Sequence, residues 1–248
     1  TLNTDSDLVK KLYNYVAKFS YYDELIAYQS EKVTEKNMNN SLKLLTIFNN
    51  LGENEATRVE YKYESDYVPK REHIIYAKDV VENKAKEIFG KDVKIVHQNA
   101  SPYDSHTIKY ENGEYDSYDY EGGGGVPWQS SVNLLISAEK DNTGTIYIYD
   151  KYVHLVEVDN IKEDGTNMAG SYDIYTSSDK KEKLASKVDF DEKNIYPADN
   201  TYAESVQYNE AYIKNIEKYL GKELTTYKHT YKQNSDGTYY WYSTEPMK

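Results

Sequence analysis

Apolar positions recur at helical spacing in three early stretches. Leu8, Leu12, Tyr15, Val16 and Phe19 predict an amphipathic helix over 5–19, started by Asp5, Ser6 and Asp7. Tyr22, Leu25, Ile26 and Gln29 predict a second over 21–30. Thr34 reads as the N-cap of a third, carrying Met38, Leu42, Leu45 and Phe48 and closed by Gly52. A fourth helix is expected from Asp79 to Phe89 and a last one from Ala203 to Leu220, each followed by glycine (Gly90 and Gly221). Elsewhere the period is two. Strands are expected at Arg58–Tyr63 (an edge), Val93–His97, Thr107–Tyr110, Glu114–Tyr120, Ser131–Glu139, Thr145–Tyr149, Tyr152–Val158 and Ser171–Thr176. Asn112-Gly113 marks a hairpin, and a second hairpin, Leu224–Lys232 and Thr238–Ser243, closes the chain. In that hairpin Tyr239 and Trp241 share one face, Tyr240 and Tyr242 the other.

Strands joined by hairpins rather than crossover helices predict an α+β fold, with N-terminal helices, then a mainly antiparallel sheet with packed helices, in a cystatin-like or NTF2-like layout. The organisation read from this is a helical segment over 1–52 and an α+β domain over 53–248. A short echo, Lys86–Val93 against Glu217–Leu224, suggests a duplicated helix-hairpin unit over 79–120 and 203–243.

Composition narrows the chemistry. The 248 residues hold 30 basic and 42 acidic side chains, a net charge of −12, which disfavours nucleic acid and anionic lipid as partners. No cysteine is present, so disulfides, thiolate metal sites and cysteine nucleophiles are excluded. No apolar run reaches the roughly 20 residues of a membrane helix. Tyrosine is abundant, at 29 residues. Lys, Asn, Tyr and Ile share AT-rich codons, so base composition accounts for much of that excess; the functional alternative is a tyrosine-lined sugar or peptide surface. Buried tyrosine hydroxyls need partners, so many rings are expected half-buried with the hydroxyl at the water boundary.

Catalytic motifs are missing. None of the five histidines forms a zincin pair, and no nucleophile elbow or phosphate loop is present. His97 and His106 with Asp104 between them form the one conceivable zinc set, and all three read better as water-facing strand and turn residues. His154 and His229 read as half-exposed strand residues. Ser101, Ser130 and Ser131 have no histidine placed beside them by motif. No catalytic residue, metal or cofactor is assigned. Asp116, Asp119 and Glu121 alternate with Tyr115, Tyr118 and Tyr120, a pattern suited to a sugar or calcium, and the run Gly122–Gly125 precedes Trp128. A flexible glycine loop beside aromatics makes Tyr118, Tyr120, Gly123, Gly124 and Trp128 the candidate ligand contacts.

Three stretches carry a resemblance: Ala85–Asp92, Tyr120–Gly125, and Tyr227–Tyr231 with Asp236–Trp241. With them the chain resembles a loosely defined group of secreted proteins and lipoproteins from AT-rich Gram-positive bacteria, to which no activity attaches. The resemblance implies an extracellular or cell-surface location and a lipid anchor on a cysteine upstream of Thr1. A start at Thr1 without Met fits removal of an export signal. The function expected is a non-enzymatic binding domain, with a cell-wall glycan or peptide as partner. A glycan- or peptide-acting hydrolase using dispersed carboxylates is the alternative, and a purely structural surface protein the third.

Overall fold

The computed structural model describes residues 1–17, 27–63, 70–103, 106–119, 129–159, 161, 165, 170–198 and 206–247, leaving aside the side chains of 102 and 103. Four helices stand among them: α1 (Asp7–Ala17), α2 (Asn40–Asn49), α3 (Lys78–Phe89) and α4 (Val206–Leu220). Each buries its apolar stripe, Val9, Leu12 and Val16 in α1, Val81, Ala85 and Ile88 in α3, Ile213 and Ile216 in α4. The cap of α2 is Asn39, whose Oδ1 accepts from Leu42 N at 2.9 Å, rather than Thr34. Residues 27–30 are not helical, and residues 18–26 and 203–205, also expected to be helical, lie outside the described residues. None of the described helices is long and apolar enough to cross a membrane.

The class is α+β and every described strand pair is antiparallel, but the described strands divide between two sheets. The smaller contains β2 (Arg58–Lys62), β3 (Arg71–Ala77), β4 (Ala100–Tyr103), β5 (His106–Glu111) and β6 (Glu114–Asp119) in the order β2-β3-β6-β5-β4. The larger contains β1 (Val33–Thr34), β7 (Gln129–Lys140), β8 (Ile146–Glu157), β9 (Ser171–Tyr175), β10 (Lys183–Asp189), β11 (Thr226–Gln233) and β12 (Tyr239–Pro246). In it β7 lines one side of β8 along most of its length. The other side is shared, by β11 over Ile146–Lys151 and by β9 over His154–Glu157.

That sharing lets β8 serve two cores. Ile146, Ile148 and Tyr152 point into the first, with α1, α2, α3, β11 and β12. Val153 and Leu155 point the opposite way into the second, with α4, β9 and β10. Tyr152, Val153, His154 and Leu155 are consequently all fully buried. Strict alternation over the expected strand Ser131–Glu139 would set Val132, Leu134, Ile136 and Ala138 together on one face. A register shift between Leu135 and Ser137 breaks that run, so Ile136 is exposed and Ala138 joins the first core. Val93–His97 is not a strand; Val93 and Ile95 instead pack against the first core from a loop.

Candidate functional site

Three of the described polar clusters are built around histidines, and the first stands on β6. Asn112 and Gly113 take φ of 53° and 82°, the left-handed turn that this hairpin requires, and set Tyr115 opposite both Tyr110 and Tyr76. Alternation then sends Tyr115, Ser117 and Asp119 toward the helices and Glu114, Asp116 and Tyr118 to the other face. On the helix side Tyr115 meets His97 Nδ1 at 2.7 Å, and His97 Nε2 lies 3.0 Å from Glu82. His106 bonds Ser117 at 2.9 Å and Asp119 beside it.

On the opposite face a ladder of charges crosses three strands. Arg58 reaches Glu114 and Glu60 at 2.5 Å, Lys62 reaches Glu60 at 3.1 Å and Asp116 at 3.2 Å. Hydrogen bonding to Arg58 holds the Glu60 and Glu114 carboxyls below their ordinary range. Asp116 closes the ladder on His73, its two oxygens 2.8 and 3.0 Å from Nδ1. A carboxylate only accepts, so Nδ1 carries the proton. The Tyr118 ring stacks on the imidazole with centroids 4.3 Å apart and planes 27° from parallel. His73 is 4 % exposed, and its Nε2 is buried with no hydrogen-bond partner.

Of the candidate contacts, Tyr118 alone lies among the described residues. Tyr120, Gly123, Gly124 and Trp128, like Glu121 and Asp104, lie outside the described residues. His97 and His106 face no common ligand, since each is bound to its own carboxylate, and they are mostly shielded from water rather than bathed in it. Among the described residues no cluster of three His, Asp or Glu has metal-holding geometry. Sequence reasoning missed His73, which no motif links to Asp116; only the pairing of β3 with β6 joins them.

A second cluster sits across β7 and β8. Ser131 lies opposite His154, with Oγ 3.1 Å from Nδ1 and 2.9 Å from the Tyr152 hydroxyl. His154 Nε2 lies 3.0 Å from Gln129 Oε1, which also accepts from Lys180 Nζ at 3.3 Å. Nucleophile, base and orienting group thus stand in line. Burial, reinforced by the Lys180 charge, lowers the His154 pKa from 6.5 to about 4. The imidazole is therefore uncharged near neutrality, with Nε2–H donated to Gln129 and Nδ1 accepting.

The third cluster is fully enclosed. Asp150 Oδ1 accepts from His229 Nε2 at 3.0 Å, and Oδ2 accepts from Tyr13 at 2.8 Å and from Tyr28. Thr244 Oγ1 accepts from Trp241 Nε1 at 2.9 Å and lies 2.7 Å from His229 Nδ1. Thr244, His229 and Asp150 follow the order of a hydrolytic triad, yet all three are 0 % exposed, so no substrate reaches them. His154 and His229, expected half-exposed, are both core residues.

Each described carboxyl whose titration is displaced is displaced downward, among them Glu82, Glu87, Asp173, Asp179 and Glu245. A general acid for glycoside cleavage needs the opposite displacement. No family model, curated protein or solved structure matches the chain.

Proposed function

We propose that the protein is an exported binding domain of the cell envelope or extracellular space, whose ligand is a cell-wall glycan or peptide contacted at His73 and Tyr118. The observation that carries this reading is the unpartnered Nε2 of His73. A buried polar atom without a hydrogen bond costs about 1–3 kcal/mol. A ligand hydroxyl or amide donor that reaches it recovers that energy. Tyr118 stacks on the imidazole face, so a ligand donor that reaches Nε2 along the ring plane meets an aromatic surface beside it. Arg58 and Lys62, about two-fifths exposed, flank the position with fixed charge.

The test is calorimetric titration with soluble peptidoglycan fragments and with short peptides. His73→Ala is expected to weaken binding at least tenfold and Tyr118→Ala to weaken it severalfold, with native circular dichroism in both. Equal affinity in wild type and both variants would remove the site. The export half of the reading predicts a signal segment with a lipidated cysteine upstream of Thr1, to be read from the gene.

The hydrolase reading has one observation in its favour, the alignment of Ser131, His154 and Gln129. Two features weigh against it. A base with a pKa of about 4 has little drive to take a serine proton near neutrality, and the neutral Gln129 amide lends no charge to the imidazolium that a turnover needs. Labelling of Ser131 by a fluorophosphonate would reverse that ranking.

A further inference from the structure

The strand β2 is an open edge of the smaller sheet, bonded to β3 on one side alone among the described strands. Edges of this kind are usually blunted by charge or covered, because their free N–H and C=O groups pair with any suitable strand. Here the helix-side face of the edge is apolar and uncovered. Val59 is 41 % exposed, Tyr61 62 % and Tyr63 66 %. The opposite face alternates in sign, Arg58, Glu60, Lys62.

That alternation is self-complementary. In a two-fold antiparallel pairing centred on Tyr61, Glu60 of one copy lies opposite Lys62 of the other, and the reverse, on the charged face. On the apolar face Tyr61 meets Tyr61, and Val59 meets Tyr63. Moving the centre to Glu60 sets Glu60 against Glu60 and Arg58 against Lys62, so like charges oppose and the register is rejected. A two-fold centred on a residue satisfies the edge whichever residues point their backbone groups outward, because either the central pair or its neighbours exchange both bonds.

We infer that β2 is a homodimer interface, through which two copies join their smaller sheets into one continuous antiparallel sheet. The contact is isologous and closes on itself, as a two-fold interface must. A pairing of about six residues per copy is small for a specific interface, so the dimer is a concentration-dependent one. Its two-fold runs along the sheet normal, which sets the His73–Tyr118 faces of both copies on the same side, where a polymeric ligand gains from engaging two sites.

Sedimentation velocity of the full chain over a range of concentrations tests the inference. Wild type is expected to shift from monomer to dimer with concentration, and less so in high salt. Glu60→Lys sets Lys against Lys across the two-fold, and Lys62→Glu sets Glu against Glu, so each variant alone is expected to associate at least about tenfold more weakly. Mixed one to one, the two variants restore both opposite-charge pairs and are expected to form the dimer again. Circular dichroism of each variant controls for folding. A wild type that stays monomeric at the highest concentration overturns the inference. So does a dimer that persists in both single variants, or a mixture that fails to associate while both variants are folded.

Discussion

Asp150 is the residue on which the first core turns. Its two oxygens receive His229, Tyr13 and Tyr28, and Asn133 Nδ2 in turn donates to the Tyr13 hydroxyl at 2.6 Å. Burial, then the nearby Asp150 charge, raises the Tyr13 and Tyr28 hydroxyls well above the usual phenol range, so both remain donors. Asp150→Ala leaves three buried donors facing a void and is expected to lose about 3–5 kcal/mol of stability. Asp150→Asn keeps one accepting oxygen and is expected to lose less. Urea unfolding at neutral pH measures both; equal losses would mean that the donors do not depend on this side chain. The tyrosine-rich composition was legible in the sequence, but its use was not. Tyr28, Tyr152, Tyr227 and Tyr231 are wholly buried rather than half-buried, because partners distant in sequence meet all of their hydroxyls but that of Tyr231. The Tyr28–Asp150 bond spans 122 residues, and no local pattern foretells it.

Local chemistry is legible in the sequence of each element, and long-range pairings are not. The helix ending at Gly90 is an example of the first kind. Gly90 takes φ 93° and ψ 161°, backbone that only glycine adopts readily, and the Tyr240 ring closes over it. A Cβ there would lie 2.9 Å from the nearest Tyr240 ring carbon. Gly90→Ala is expected to cost about 1–3 kcal/mol from backbone strain, with a further loss if Tyr240 is pushed aside. Gly113→Ala is a useful contrast, having a similar φ of 82° but nothing within 4 Å of the added carbon. Thermal unfolding of the pair separates strain from collision: Gly90→Ala should fall further, and an equal fall would remove the close approach from the account. Hairpins, helix stripes and the placing of Tyr239 and Trp241 on one face follow from spacing alone, whereas the burial of that face rather than the Tyr240–Tyr242 one does not. The sequence of β8 predicts two strands, Thr145–Tyr149 and Tyr152–Val158, because Asp150 and Lys151 look like a break; the buried Asp150 network makes them one. The stretch Val93–His97 has strand composition, but among the described residues no strand pairs with it.

The larger sheet and the segments packed on it bury groups that titrate at opposite ends of the pH scale, His154 at one end and Tyr13, Tyr28 and Tyr231 at the other. Neither the division into two sheets nor the candidate face was legible beforehand, because strand order depends on contacts such as Val33 with Thr244, far apart in sequence. The β6 stretch was recognised as acidic and aromatic; its joining to His73 was not. The same architecture fixes a stability profile. His154 is held in the folded state with a pKa lowered from 6.5 to about 4, so the unfolded chain binds the extra proton first. Its contribution is complete above pH 6.5 and is lost as pH falls toward 4, to a total of about 3 kcal/mol. At the alkaline end Tyr13, Tyr28 and Tyr231 are raised, chiefly by burial, so the unfolded chain releases protons first. Their contribution is complete below the ordinary phenol pKa of about 10 and declines as pH rises past it. Urea midpoints are therefore expected to be highest and flattest between about pH 7 and 9.5, falling on both sides. His154→Gln cannot take up the proton, so its acid limb is expected to begin nearer pH 4, where carboxylates such as Asp173 and Asp179 begin to lose their partners. A wild-type midpoint unchanged between pH 7 and 4.5, or an acid limb identical in His154→Gln, would show that His154 meets water.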